Sequence, residues 1–180
     1  MTQKKPSAEK KQPSAEQTSS IYPLKHPEVS FLLENDGLCF TFHDKDDDDG
    51  WDRERDSAVM GRFRCHNPKC TTNGWSSKRI PIVVYRYTGQ RYNARVYHQR
   101  CRNCDRLSKP ILDHTYAERV AYWLKKWSGI RMPTPPPPKK TRIPHERELC
   151  EGCKAGHCLG ENYESSDLIP PYLYTISVTN

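Results

Sequence analysis

The sequence is poor in apolar residues for its length, and this shortage narrows the class of protein. Only 34% of its 180 residues are hydrophobic, 15 are proline, and the mean hydropathy is −0.94. Such a chain can form only a small hydrophobic core. We therefore expect a second source of stability, and a structural metal is one of the few that small domains use.

Long apolar runs are also missing. No stretch of 18 apolar residues occurs, so we expect no membrane span. The lysine-rich residues 1–11 are followed by no apolar segment of the kind that a secretion signal contains. The expected location is therefore cytoplasmic or nuclear, and the sequence gives no indication of oligomeric state.

The chain does contain eight cysteines, and seven of them fall into short-spaced groups. Cys65-x4-Cys70 and Cys101-x2-Cys104 are separated by about thirty residues that predict a β-hairpin. A third group is Cys150-x2-Cys153 followed by Cys158. In a reducing compartment, thiols at these spacings bind metal more often than they form disulfides.

The cysteine groups predict one or two structural zinc ions, with two favoured. The hairpin would bring two thiol pairs together into one tetrahedral site, which consists of Cys65, Cys70, Cys101 and Cys104. The third group needs one more ligand, either His145 or His157. A crossed arrangement, in which the third group joins the first pair, stays open. A structural zinc contributes on the order of 10–16 kcal/mol of apparent binding free energy to folding.

Composition and pattern together predict an α+β fold. The expected fold is a small zinc-stabilised domain with an antiparallel β-hairpin or sheet, zinc knuckles, one amphipathic helix and a disordered N-terminal tail. The predicted parts are a disordered tail (1–20), an N-terminal extension with an acidic loop (21–57), the zinc-binding domain (58–160) with a proline-rich linker (132–140), and a C-terminal tail (161–180).

Local patterns predict the elements of this fold. Residues 79–87 and 91–101 are β-rich and flank a turn at 88–90. Thr115 begins a capping box, which predicts a helix from Tyr116 that ends before Gly129.

The N-terminal extension contains two further features. Alternation of apolar residues predicts a strand over 38–42, with Cys39 as a small buried side chain. The acidic stretch 43–56 lacks a calcium-loop pattern, so we interpret it as a solvated loop that shields basic residues.

Charge is distributed unevenly along the chain. Residues 28–56 have three Lys/Arg against eleven Asp/Glu, whereas residues 57–143 have nineteen against three. The basic stretch suits binding to nucleic acid, most of all RNA. The candidate contact residues are Arg62, Arg64, Arg91, Arg95, Tyr97, Arg100, Arg102 and Arg106. The same residues are equally compatible with an ordinary solvated face of a sheet.

Catalysis is the weakest hypothesis, and we expect the protein not to be an enzyme. The thiols are assigned to metal, and no open metal site such as His-Glu-x-x-His occurs in the sequence. Two binding functions remain. One is RNA binding, and the other is a role as an adaptor or trafficking factor that binds a protein partner.

The three cysteine groups, in this order, resemble the 3CxxC-type zinc-finger family, most closely its uncharacterised fungal members. The matching residues are Gly61-Arg-Phe-Arg-Cys65, Gly74-Trp75-Ser-Ser, Tyr92 to Cys104, and Pro144-His145 through Cys150-Glu-Gly-Cys153 to Cys158. One departure is the first pair, which has four intervening residues instead of two. This departure concerns the shape of that loop more than its ligation.

The resemblance adds expectations about ligands and partners. Its Pro-His element implies that His145, and not His157, completes the second site. The same domain occurs in zygote arrest proteins, which bind RNA, and in receptor-transporting proteins, which escort membrane receptors. The receptor-transporting proteins carry a C-terminal membrane anchor that this sequence does not show, which favours RNA as the partner.

Overall fold

The fold is built around a long antiparallel hairpin. A computed structural model describes residues 16–46, 49–133 and 145–158. The strands are β1 (Ser19–Ser20), β2 (Thr41–Phe42), β3 (Trp51–Phe63), β4 (Trp75–Tyr87), β5 (Arg91–Tyr97), β6 (Gln99–Arg100), β7 (Leu107–Ser108) and β8 (Ile111–Leu112). The α-helices are α1 (His26–Glu34), α2 (Thr115–Trp127) and α3 (Glu151–Lys154), and short 3-10 helices occupy Pro23–Lys25 and Arg147–Leu149.

Six strands form the main sheet, in the order β1-β5-β4-β3-β8, with β2 added on the outer side of β5. Only the β2–β5 pair is parallel among these described strands. The β4–β5 hairpin turns at residues 88–90, where Gly89 and Gln90 have φ angles of 74° and 55°. The hairpin predicted from the sequence is therefore confirmed. Strands β6 and β7 form a separate two-stranded sheet.

The apolar core lies on one face of the main sheet. Alternate residues of β4 and β5, such as Ile82 and Val96, are fully buried there. Helices α1 and α2 pack onto this face, and α2 contributes Tyr116, Val120 and Leu124. The predicted amphipathic helix is confirmed, and its aromatic residues are core residues.

The opposite face of the hairpin forms a smaller buried cluster. Its members are Val83, Tyr85, Tyr87 and Tyr97. The period of two along each strand places these side chains opposite the main core. Arg95 of β5 lies on this second face as well, 5.6 Å from the centroid of the Tyr85 ring, whereas Arg86 of β4 lies on the core face, where its Nη1 donates to the Trp127 carbonyl of α2.

The acidic stretch differs from the prediction. Strand β3 begins at Trp51, so residues 51–56 belong to a strand and not to a loop. The long strand β4 supplies the reason: its 13 residues pair with β3 as far as Trp51 opposite Tyr87. Strand β3 also crosses the predicted domain boundary at residue 57, so the N-terminal elements pack as part of one fold.

The residue that caps the start of α2 also differs from the prediction. Thr115 does not begin a capping box, because its hydroxyl accepts a hydrogen bond from the Met60 amide at 2.8 Å. Asp113 provides the cap, since its Oδ1 accepts the Thr115 amide at 2.9 Å. The helix ends at Trp127, and Gly129 follows with a φ of 82°, as predicted.

Two predictions near the N-terminus are wrong. Cys39 is exposed instead of buried, because the strand there covers only Thr41–Phe42. The predicted tail extends too far, because Ser19–Ser20 pair with β5 and the Ser20 hydroxyl lies 2.9 Å from His98 Nε2. Residues 1–15, most of the predicted linker 132–140 and the tail 161–180 lie outside the described residues.

Candidate metal centres

The first predicted zinc site is assembled as expected. We call the cluster of Cys65, Cys70, Cys101 and Cys104 the first centre; its four sulfur atoms all lie within 4.8 Å of one another. The Cys65–Cys104 and Cys70–Cys101 Sγ distances are 3.5 and 3.8 Å. Tetrahedral zinc with Zn–S bonds of about 2.3 Å requires sulfur atoms about 3.8 Å apart. The four thiols therefore fit a zinc ion.

Tight turns at the ends of strands present these thiols. In the first turn, the Cys70 amide donates to the Asn67 carbonyl at 3.0 Å, which accommodates the longer Cys65-x4-Cys70 spacing. In the second, the Asp105 amide donates to the Cys101 carbonyl at 2.8 Å, with Asp105 at a φ of 55°. The sheet brings both turns to the same end of β3 and β5, so ligands far apart in sequence meet.

The second centre consists of His145, Cys150, Cys153 and Cys158, whose ligand atoms also lie within 4.8 Å of one another. The His145 Nε2 atom is 3.3 Å from the sulfur of Cys153 and 3.4 Å from that of Cys158. Mixed nitrogen and sulfur ligands at these distances suit tetrahedral zinc, with Zn–N bonds of about 2.0–2.1 Å. The crossed arrangement of the cysteine groups is not formed.

His157, the other candidate ligand, has a different environment. Its Nδ1 lies 2.8 Å from Asp56 Oδ1, and its ring stacks on Tyr97 with centroids 5.5 Å apart. The choice of His145 is therefore confirmed by the geometry. Pro144, the other half of the Pro-His element, lies outside the described residues.

The acidities of the thiols show why a cation fits each cluster. A hydrogen bond from the Asn67 side chain lowers the pKa of Cys104 to about 6. A backbone hydrogen bond lowers the pKa of Cys65, but desolvation and the neighbouring thiols outweigh it and raise that pKa to about 12. Thiolates this close repel one another, so without a metal the protons are shared unequally. A divalent cation lets all four thiols ionise.

In the second centre, too, the pKa values of neighbouring thiols are shifted in opposite directions. The hydrogen bond between Cys150 and Cys158 lowers the pKa of Cys150 to about 4. The same hydrogen bond raises the pKa of Cys158 well above its usual range. Both donor sets therefore have the number, distance and chemistry that structural zinc requires.

Trp75 packs against the main core at the start of β4. It is the first residue of β4, and it stacks on Phe63 with centroids 5.1 Å apart. Its Nε1 donates to Gln99 Oε1 at 3.1 Å, and Gln99 Nε2 reaches Ser77. Trp75 thus fixes β6 against the start of β4.

The predicted nucleic-acid contacts lie in three different environments. Three of them make internal contacts: Arg95 pairs with Asp46 at 2.7 Å, Arg100 pairs with Glu151 at 2.6 Å, and Tyr97 is buried beside His157. Arg91 lies at the hairpin turn, where its Nε donates to the Thr88 carbonyl. The exposed remainder lies close in sequence to ligands of the first centre: Arg62, Arg64, Arg102 and Arg106.

Carboxylates of the acidic stretch pair with hairpin arginines. Besides Asp46, Asp52 binds Arg86 at 2.7 Å, and this pair lowers the pKa of the Asp52 carboxyl. At these two pairs, carboxylates of the acidic stretch lie against basic residues, as the interpretation of a shielding segment requires. Arg100 also binds Glu16 at 2.7 Å, a contact that no local sequence pattern indicates.

None of the helices in the described part of the chain is both long and apolar enough to cross a membrane.

Comparison with known proteins gives one match. The sequence model of the 3CxxC zinc-ribbon family, described as a zinc-binding domain, matches residues 58–156. No curated protein and no solved structure matches the chain. The matched range covers more than half of the chain and includes every ligand of the two sets except Cys158, and so the protein belongs to the 3CxxC-type zinc-binding domain family.

Proposed function

We propose that the protein is a non-catalytic RNA-binding module whose two zinc ions are structural. The single observation that carries this proposal is the concentration of exposed cations around the first centre. The loops that hold its ligands, residues 61–79 and 98–110, contain nine Lys/Arg and one Asp/Glu. Such a density of positive charge attracts phosphate backbones.

Six exposed cationic side chains of these segments define the proposed contact surface, which we call the basic surface. It consists of Arg62, Arg64, Lys69, Lys78, Arg102 and Arg106. Within the described residues, only Arg102 in this set forms an ion pair, with Glu146. The other cations remain available for phosphate groups.

A cleft of about 400 Å³ lies beside the basic surface. Arg62 and Lys78 line it together with the hydroxyl-bearing residues Ser76 and Ser77 and with one carboxylate, Asp113. Cationic and hydroxyl side chains are the usual donors to phosphate and sugar oxygens. The cleft therefore supports backbone contacts.

RNA suits the arrangement better than duplex DNA. A protein that reads DNA sequence commonly inserts an exposed helix into the major groove. In the described chain, α1 contains no Lys or Arg and most of α2 is buried. Loops rich in cations instead suit RNA, which is recognised mainly through shape, phosphates and 2′-hydroxyl groups.

The ligand sets support the proposal of a non-catalytic role. Each cluster offers four protein ligands, and a catalytic zinc keeps one position for water or substrate. The zinc ions would hold the two turns and α3 in place. The basic surface would then supply the binding function.

Salt dependence tests the RNA proposal. With about five phosphate contacts, we expect the Kd for a single-stranded RNA to rise on the order of a hundredfold between 50 and 200 mM salt. The variant R62Q/R64Q/R106Q is expected to bind at least tenfold more weakly, with a shallower salt slope. R91Q, at the opposite end of the hairpin from the basic surface, is the control for the loss of one positive charge, because the structure takes Arg91 out of the proposed contact set. Absence of RNA binding by the zinc-loaded protein at 50 mM salt would contradict the proposal.

A second candidate function is protein binding, and an apolar groove between α1 and α2 favours it. The groove measures about 440 Å³ and is lined by Phe31, Leu32 and Ala117, with Glu28 and Glu118 among its lining residues. Phe31 is 66% exposed, which is unusual for so large an apolar side chain. The acidic residues favour one occupant, an amphipathic helix with basic flanks.

Model peptides test the groove. A Leu/Lys amphipathic peptide is expected to bind more tightly than a Leu/Glu peptide with the same apolar face, and F31S is expected to remove this binding. L24S, which changes the 93% exposed Leu24 outside the groove, is the matched control. Equal binding of both peptides, or no effect of F31S, would exclude this candidate.

A further inference from the structure

Strand β6 lies between the two centres and connects their ligands. Gln99 forms a β-bridge with Cys150 of the second centre, and Arg100 directly precedes Cys101 of the first. The Glu151 amide also donates to the His98 carbonyl at 3.1 Å. Only one residue, Arg100, therefore lies between Gln99, which contacts the second ligand set, and Cys101, which belongs to the first.

The Arg100 side chain makes a second connection across the same gap. Its Nε donates to Glu151 Oε1 at 2.6 Å, next to Cys150. Its Nη1 donates at 3.1 Å to the carbonyl of Asp105, the residue that follows Cys104. One guanidinium group thus holds the turn of the first centre and the helix of the second.

Burial makes these contacts costly to lose. The side chains of Arg100 and Glu151 are 18% and 7% exposed. Removing one partner of a shielded, charge-assisted pair leaves the other poorly solvated. Lys154 also binds Glu151 at 2.9 Å, but this lysine is 44% exposed and does not reach the first centre.

We propose that the two zinc centres bind metal cooperatively and that Arg100 is the positioning residue that couples them. Zinc in the first centre orders the turn at 101–105, which fixes the Asp105 carbonyl and orients the guanidinium group. That group then holds Glu151 and the start of α3, so Cys150 is placed before the second ion binds. Since coupling is reciprocal, zinc in the second centre favours binding at the first.

The pair Arg102–Glu146 is a second link between the two segments, but a weaker one. Arg102 is 73% exposed and Glu146 40% exposed, and exposed pairs contribute little. We therefore assign the main side-chain coupling to Arg100.

Metal titrations of four proteins test this proposal: wild type, R100Q, C65S/C70S and the combined variant. Co²⁺ replaces Zn²⁺ as a visible probe, because its ligand-field absorption separates a four-sulfur site from one with three sulfurs and one nitrogen. We expect the Kd of the second centre to rise about tenfold in C65S/C70S, within the usual range of coupling between sites. R100Q is expected to raise the Kd of the second centre by the same factor while the first centre is filled. The variant that combines R100Q with C65S/C70S is expected to show no further rise in that Kd.

Two more variants separate positioning from charge. R64Q removes the same charge beside Cys65 and is expected to leave the second centre unchanged. R100K keeps the charge, but an ammonium group lacks the planar fork that joins Glu151 to the Asp105 carbonyl, so the tenfold loss should persist. If C65S/C70S does not fold, R64Q and R100K still test the role of Arg100.

Three results would overturn the inference. An equal Kd of the second centre in wild type and C65S/C70S would exclude cooperativity. A change in C65S/C70S without a change in R100Q would remove Arg100 from the coupling. Full retention of wild-type affinity in R100K would show that charge alone acts, and not position.

Discussion

The two metal centres use similar ligands but are built in different ways. The first takes its four thiols from two turns more than thirty residues apart, and the main sheet brings these turns together. The second takes all its ligands from residues 145–158 and docks against the sheet through β6 and β4. The first centre is therefore expected to stabilise the whole fold, and the second mainly its own segment.

Loss of a ligand from each centre should show the largest difference. C101S removes a fully buried thiol of the first centre. We expect the first centre to lose its zinc ion and the fold to be destabilised by about 5 kcal/mol or more. C150S should remove only the second zinc and leave the main sheet folded. Zinc counts by native mass spectrometry and thermal unfolding measure both. Equal destabilisation by the two variants would contradict the proposed difference.

Acid should weaken the region between the centres through His98. Desolvation and the nearby Lys109 lower the pKa of this histidine from 6.5 to about 4, and its side chain is 5% exposed. The unfolded chain binds a proton on His98 more readily than the folded one, so stability falls as pH falls from 6.5 toward 4. The resulting loss between pH 7 and pH 5 is about 2 kcal/mol.

The His98 effect is measured as a difference, because zinc release also depends on pH. H98Q cannot titrate, so its stability should fall less than that of wild type over the same pH range, at equal free zinc. H43Q replaces a histidine that lies beside Arg91 near the hairpin turn, and it serves as the control. Identical pH profiles for wild type and H98Q would contradict this account.

Docking of the second centre depends on a glycine. A Cβ atom at Gly152 would lie 2.6 Å from the Pro81 ring, closer than such atoms approach in proteins. G152A should therefore weaken metal binding at the second centre, at a cost of about 1–3 kcal/mol, and weaken the first centre by no more than the proposed coupling of about tenfold. K154A is the control for a change in the same helix: it removes only a 44% exposed partner of Glu151 and adds no atom against the Pro81 ring. An unchanged affinity in G152A would show that the segment binds zinc without docking.

The smallest effect is expected for the exposed pair between the two segments. R102Q should change stability by less than about 1 kcal/mol, since Arg102 is 73% exposed. Thermal unfolding of R102Q and R100Q, side by side, measures the contrast. A larger effect of R102Q than of R100Q would reverse the roles that we assign to these arginines.

Much of the fold and both ligand sets could be predicted from the sequence, for physical reasons. Short cysteine spacings specify zinc knuckles, and period-two alternation around Gly89 specifies the hairpin. Long-range pairing was harder to predict. Residues 51–56 have the composition of an acidic loop, but pairing with β4 makes them a strand.

The candidate nucleic-acid contacts show a second limit of the sequence. Arg95 and Arg100 have the same residue type and local pattern as Arg62 and Arg64. Their contacts with Asp46 and Glu151 come from distant parts of the chain, so no local pattern distinguishes buried pairs from exposed cations. The same reason explains why the coupling contact of Arg100 is visible only in three dimensions.

The most direct test of the central claim is native mass spectrometry of the purified protein under reducing conditions, combined with X-ray absorption at the zinc edge. Two zinc ions per chain are expected, which together have seven sulfur ligands and one imidazole nitrogen. One zinc ion, none, or a shell containing bound water would contradict two closed structural centres.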